Sequence, residues 1–283
     1  MLVIIGAIIV LASVLIGFSM AGGSVGSLIH ISEFITIGGA TFGALIIMSP
    51  KKVIVDLFKG ILQTLKGSPY NKATCSDLLK LLYGLARVVR QEGALGIEQH
   101  IGNPSASALF QASPRVYKNH HLKHFICEGL ALIVDGKIEP PQLATFLEQE
   151  QKVLDIEHHA AVGALSKTAD ALPGFGIVAA VLGIVVTMQS IGGPVEEIGE
   201  KVGAALVGTF LGILMAYGFF APLAGRMESL GEQETAFLKG AAEGIMAIHE
   251  GSGPRDVAAR ARRVISTDCR PSQSDMTALF AAA

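Results

Sequence analysis

Four stretches of the chain contain no charged residue and are dominated by aliphatic side chains: Leu2–Met20, Phe34–Pro50, Ala171–Val195 and Val202–Gly225. Each is close to the roughly 20 residues an α-helix needs to cross about 30 Å of hydrocarbon. They are apolar all round rather than on one face, the pattern of a helix solvated by lipid. The second run extends outward across Ile31 and Ser32. No basic segment precedes the first run and a second follows closely, so a span is expected there rather than a cleaved leader.

The remaining sequence changes period. Leu78, Leu79, Leu81, Leu82, Leu85, Val88 and Val89 recur at helical spacing. Thr74-x-x-Asp77 ahead of them resembles a capping box, and Gly93 is placed to end that helix. A further helix is expected from about Tyr117 to Asp135-Gly136. Another starts near Pro140-Pro141, runs towards Gly163 and continues into the third span as a stalk. Arg226–Gly251 reads as helix, Gly251-Ser-Gly-Pro254 as a break and Asp256–Ile265 as a short helix. Arg260, Arg262 and Arg263 of that helix are expected on a solvated face, and the last residues as a loosely ordered tail. No period-two alternation is sustained.

Composition agrees with this division. Of 283 residues, 22 are basic and 24 acidic, a net charge of −2. The charged share is 16%, against roughly 25% for ordinary soluble domains. A near-neutral balance gives no electrostatic reason to expect nucleic acid as partner. Mean hydropathy is +0.52, which argues against disorder. Residues 1–50 hold a single charge, Glu33, and residues 171–225 hold four: Glu196, Glu197, Glu200 and Lys201. The fold class is therefore an all-α integral membrane protein with four spans and a helical lobe between spans two and three. Residues 1–50 are assigned to spans one and two and 51–170 to the lobe. Residues 171–225 form spans three and four, and 226–283 the C-terminal helices and tail.

Basic residues set the direction. Ala21–Glu33 has no Lys or Arg, whereas Lys51, Lys52, Lys59 and Lys66 crowd the exit of span two. Lys167 precedes span three and Arg226 follows span four. The positive-inside rule places both termini and the lobe in the cytoplasm. Cys75, Cys127 and Cys269 then share a reducing compartment, where an odd count without CxxC spacing reads as buried structural thiols.

No phosphate loop, nucleophile elbow or HExxH helix is present, so no enzyme and no cofactor is expected. His120 and His124 share a helix face, but no Cys-rich or acidic set accompanies them at matching spacing, and no metal is expected. Gly39-x-x-x-Gly43 and Gly208-x-x-x-Gly212 place small residues where helices can approach closely. Ion paths through membranes need ionisable or strongly polar groups. Near the middle of the spans the chain offers only hydroxyls such as Thr187, Thr209 and Tyr217. If it carries ions, a partner must supply the carboxylate. Pro173 and Pro222 mark the lobe-side ends of spans three and four, and spacing alone assigns them to shaping helix termini.

Two long blocks resemble a known family. They are Asp170-x-x-Pro173-Gly-Phe-Gly-Ile-Val-Ala-Ala-Val-Leu-Gly-Ile and Val207-Gly-Thr-Phe-Leu-Gly-Ile-Leu-x-Ala-Tyr-Gly-Phe-x-x-Pro222-Leu-Ala. With Gly22-Gly-Ser-x-Gly, Leu81-Leu-Tyr83 and Arg270-Pro-Ser272, they look like the MotA family of flagellar motor stator subunits. Gln273 stands where that family usually has phenylalanine.

The resemblance implies a pentameric ring in the bacterial inner membrane around a MotB-like single-span partner, which supplies the channel aspartate. The ring acts on the rotor protein FliG. It implies that Pro173 and Pro222 shape conformational change at the channel mouth, that Asp170 lies near the ion exit and that Thr209 faces the pore. Arg90 and Glu98 match charged residues that engage the rotor. Sodium-driven relatives tend to carry threonine seven residues after the span-three proline. Ala180 provides no oxygen ligand there, so proton coupling is expected. A sodium-coupled stator, an ExbB/TolQ-like energiser of envelope machinery and a membrane scaffold without ion flux are the alternatives.

Overall fold

The computed structural model describes residues 2–136 and 138–281, and all regular structure among them is helical. In chain order the helices are α1 (Leu2–Met20), α2 (Ile31–Met48), α3 (Lys51–Lys66), α4 (Lys72–Glu92), α5 (Glu98–Gly102), α6 (Ala108–Gln111) and α7 (Pro114–Lys118). There follow α8 (His120–Val134), α9 (Pro140–Met188), α10 (Val195–Met215), α11 (Ala221–His249), α12 (Pro254–Val264) and α13 (Gln273–Ala281). A π-helical turn, Ala216–Phe220, joins α10 to α11. Four helical stretches are long and apolar enough to cross a membrane. The chain divides into two units, 1–67 with 157–229, and 68–156 with 230–283.

The first unit holds the spans. α1 has no fully buried residue, and apart from one half-buried side that includes Val10 its surface is left for lipid or other chains. α2 buries one stripe at four-residue intervals: Glu33, Ile37, Thr41 and Leu45. Ile37 packs with Leu172, Ala179, Leu211 and Ala216 of the last two spans. α3 is amphipathic: Leu57 is buried against Val162, Leu165 and Met227, while Lys51, Lys52 and Lys59 are exposed. Lys52 pairs with Glu157 of α9, and a ring nitrogen of His158 lies 3.0 Å from the Met227 carbonyl.

Two boundaries differ from the sequence reading. The third span ends at Met188 and not at Val195, because Gly192 (φ +110°), Gly193 and Pro194 break the helix. α10 begins at Val195, ahead of the expected Val202, with Glu196 and Glu197 in its first turn. Carboxylates are favourable there beside the unpaired N–H groups. As expected, α9 continues past Gly163 into the third span, running 49 residues as one helix.

The second unit has its own core, in which Leu78, Leu82 and Leu85 of α4 meet Phe125 of α8, Phe237 and Ile245 of α11 and Ala258 of α12. The cap of α4 is Asn71, whose Oδ1 accepts from the Ala73 and Thr74 amides (3.0 and 3.1 Å). The expected Thr74/Asp77 box does not form. Thr74 is already inside the helix and donates to the Pro69 carbonyl (2.6 Å). Asp77 instead receives the Arg115 backbone N–H and guanidinium. Gly93 ends α4 with φ +78°, a conformation that favours glycine.

The C-terminal region departs from the expected loose tail, and of the three arginines expected on a solvated face only Arg263 is exposed. Arg260 pairs with Glu243 and Glu250, Arg262 donates to the Pro271 carbonyl (2.6 Å), and Arg270 donates to the carbonyls of Arg263 and Ile265 (2.7 Å each). α13 then docks on α4: the Phe280 ring stacks on Tyr83 at 4.7 Å, and Lys72 pairs with Asp275 at 2.7 Å. Lys72 and the Ser272 amide hold the Asp275 carboxyl down to about 2. Phe280 thus provides an aromatic anchor in a tail where Gln273 cannot. The thiols are all free. Burial pushes Cys75 up to about 12 and Cys127 up to about 11, so neither is a nucleophile at neutral pH.

Candidate functional site

The interior of the first unit is built on the approach of α9 to α10. A Cβ added to Gly212 would lie 2.7 Å from the Leu172 carbonyl oxygen and 2.9 Å from Gly176 Cα. One on Gly176 would lie 3.0 Å from the Gly208 carbonyl oxygen, and one on Gly183 2.7 Å from Ala205 Cβ. Backbone thus touches backbone over three turns, which is how helices associate in lipid, where apolar burial offers no gain. Gly208 and Gly212 lie in this seam. Gly39 and Gly43 do not: a side chain at either would meet nothing within 4 Å.

Pro173 lies inside α9, half-buried, one residue after the buried Leu172. Having no N–H, it leaves the Ala169 carbonyl without its helical partner. Pro222 is exposed in the first turn of α11, directly after the π-helical turn. That wider turn accommodates a proline whose ring would otherwise strike the Gly218 carbonyl. Leu172, Phe175, Ala216 and Phe220 share one apolar cluster, so the distorted backbones on the two helices share their packing. Asp170 is exposed one turn before Pro173. Thr209 is half-buried in the seam, its Cα 3.3 Å from the position of a Gly176 Cβ. Thr187 is buried and donates to the Gly183 carbonyl (2.8 Å), leaving its lone pairs unused. Ala180 is buried beside Gly208.

The residues matched to a rotor contact belong to the other unit. Arg90 is exposed in the last turn of α4, where its guanidinium comes near Gly253 ahead of α12. Glu98 is exposed at the start of α5, on the far side of the Gly93 turn. Both are free to meet a charged surface.

Sequence reading missed two groups. Glu33, to which the sequence reading gave no role, is only 7% exposed and its Oε2 reaches the seam at Gly208. Thr41 lies two turns along the same buried face. Among the described residues neither Glu33 Oε2 nor Thr41 Oγ1 has a hydrogen-bond partner. The i, i+4 spacing of Glu33, Ile37, Thr41 and Leu45 was the available signal.

Four apolar spans, a glycine seam, two backbone-distorting prolines and a buried carboxylate define a multi-pass helical membrane protein of the ion-translocating class. Comparison with known proteins agrees. Residues 4–93 match the motility protein A N-terminal family and residues 117–239 the MotA/TolQ/ExbB proton channel family. The chain is 34% identical to motility protein A of Salmonella typhimurium over 272 residues, 96% of this chain and 92% of that one. It is 38% identical over 223 residues to chemotaxis protein LafT of Vibrio parahaemolyticus, covering 79% and 78% of the two chains. The solved structure of C. jejuni MotAB shares the fold with a TM-score of 0.78 at 24% identity, over 96% of this chain and 98% of that one. The chain belongs to the motility protein A family.

Proposed function

We propose that this chain is the ring-forming stator subunit of a bacterial flagellar motor, coupling proton flow to torque. The observation that supports this reading most strongly is the near full-length likeness to motility protein A, 34% over 96% of the chain. A MotB-like single-span partner supplies a channel aspartate, and the exposed aliphatic faces of α1 and α9 are left for that partner, for neighbouring copies in a pentamer and for lipid. Thr187 and Thr209 offer oxygens to the ion, Asp170 lies at its exit, and Pro173 and Pro222 form the hinge of the moving spans. With both termini and the lobe in the cytoplasm of a cell whose inner membrane holds the ring, Arg90 and Glu98 meet FliG.

Ala180 supports proton coupling, because a methyl group cannot replace the hydration oxygens of sodium. Cells lacking their own stators, supplied with this chain and its genomic MotB-like neighbour, are expected to swim without sodium and to stop when an uncoupler is added. Sodium-dependent swimming would discard the ion assignment. Failure to swim despite membrane insertion and partner binding would favour an ExbB/TolQ-like energiser.

A second expectation concerns the lobe. Arg90→Glu should lower the torque on a tethered bead while leaving membrane level and partner co-purification unchanged, since Arg90 is exposed. Recovery by an opposite charge on the rotor would establish contact, and loss of assembly would refute it.

A further inference from the structure

Glu33 is a buried acid that the proposed mechanism leaves unused. Its Oε2 lies where a Cβ on Gly208 would come within 2.6 Å of it, and Ala179 and Ala180 approach the same point (3.2 and 3.4 Å). Ala180 is eight residues, about 12 Å along the axis, inside the end of α9. The carboxyl therefore sits well within the apolar part of the bundle.

Thr41, two turns further along the buried face of α2, also carries an unpartnered hydroxyl, with the apolar Ile37 between. On the opposite side a cavity of ≈ 910 Å³ is lined by Ser27 and His30 of the α1–α2 connector and by Glu200 and Val207 of α10. Val207 precedes Gly208, and His30 is one turn before Glu33. The cavity thus reaches from the connector to the residue beside the Glu33 contact. The charged groups of α10 all lie in its first two turns, and the nearest charged residue of α9, Asp170, is ten residues from Ala180. No charged residue of α9 or α10 therefore neighbours the Glu33 contacts along its own helix.

An acid withdrawn from water with an oxygen left unpaired costs stability, which a purely packing role does not repay. Intramembrane acids of this kind mark ion pathways. We propose that Glu33 is a proton-exchange site belonging to this chain itself: the carboxylate takes up a proton arriving through the cavity beside the α1–α2 connector and releases the same proton along the face towards Thr41. The assignment rests on the proton-channel reading above. It adds an internal way-station, on the side of the spans away from the lobe, to the carboxylate of the partner.

The test uses the full chain with its partner, both in stator-less cells and purified into vesicles placed in an acidic medium and read with an entrapped pH dye. Glu33→Gln keeps the shape and removes the proton site. It should reach the membrane at the wild-type level, yet lower proton uptake and rotation speed by about a hundredfold, the lower end for loss of a positioned proton-transfer group. The response of speed to external pH should flatten, and Glu33→Asp should restore it. Glu33→Gln that matches wild type in uptake and at every pH would overturn the proposal, leaving Glu33 a packing residue. If Glu33→Gln fails to insert, Thr41→Val serves: a severalfold loss of uptake supports the path, and wild-type uptake overturns it. If the wild-type chain carries protons into vesicles but turns no motor, the stator reading fails while the vesicle comparison still decides the role of Glu33.

Discussion

Gly212→Val is expected to remove most of the folded protein from the membrane. The added Cβ would meet the Leu172 carbonyl oxygen at 2.7 Å and Gly176 Cα at 2.9 Å. Both are backbone atoms of α9, so no rotamer change can relieve the clash. The helices must separate, and the contacts of Gly176 with Gly208 and of Gly183 with Ala205 go with them. Overpacking a well-filled core costs about 1–3 kcal/mol where side chains can yield. Here none can, in a solvent where close packing itself holds helices together. Immunoblots of membranes should show a large loss, and any surviving protein should unfold in detergent at a lower temperature than wild type. The control is Gly43→Val, where a side chain would meet nothing in the chain. That variant should accumulate normally and unfold at the wild-type temperature. If it accumulates but no longer assembles with its partner, the face of α2 around Gly43 is covered by another chain. A normal Gly212→Val would mean that the seam is looser than this geometry.

The spans were legible in the sequence because lipid acts on every side of a helix at once. Leu2–Met20 needs no partner to be recognised, and α1 has those bounds. Ends were less legible, because they depend on competing local chemistry. Gly192-Gly193-Pro194 ends α9 inside an apolar run, and the acids that looked like a loop turned out to suit the first turn of α10. Asn71 outcompeted Thr74 as a cap through its nearer side-chain oxygen. The tail looked loose because its anchors, Phe280 on Tyr83 and Arg270 on two carbonyls, are tertiary. Glu33 was passed over for a related reason. Counting charges along a span shows how near one lies to an end, but not which face it is on. Only the packing of α2 against α10 turns a residue near an end into one beside Gly208.

Pro222→Ala is expected to leave the chain folded and to stall the motor. Alanine supplies the N–H that proline lacks, so the Gly218 carbonyl regains a helical partner and the ring no longer opposes it. The π-helical turn at Ala216–Phe220 then loses its cause and can tighten to α geometry. Tightening would rotate Ala216 and Phe220 out of the cluster they share with Leu172 and Phe175, one residue before and two after Pro173. Membrane level and unfolding temperature should equal or exceed wild type. Rotation speed should fall by about tenfold or more, which corresponds to roughly 1.4 kcal/mol on the limiting step. This split between stability and speed is what separates a hinge from a merely structural proline, since loss of a packing residue lowers both. Pro173→Ala should act in the same direction by restoring the bond to the Ala169 carbonyl. If the two prolines serve one motion, the double variant should be no slower than the slower single one, because contacting sites on a shared step are not additive. Additive losses would assign them separate tasks. Wild-type speed from Pro222→Ala would show that the π-helical turn forms without the proline and that the hinge lies elsewhere.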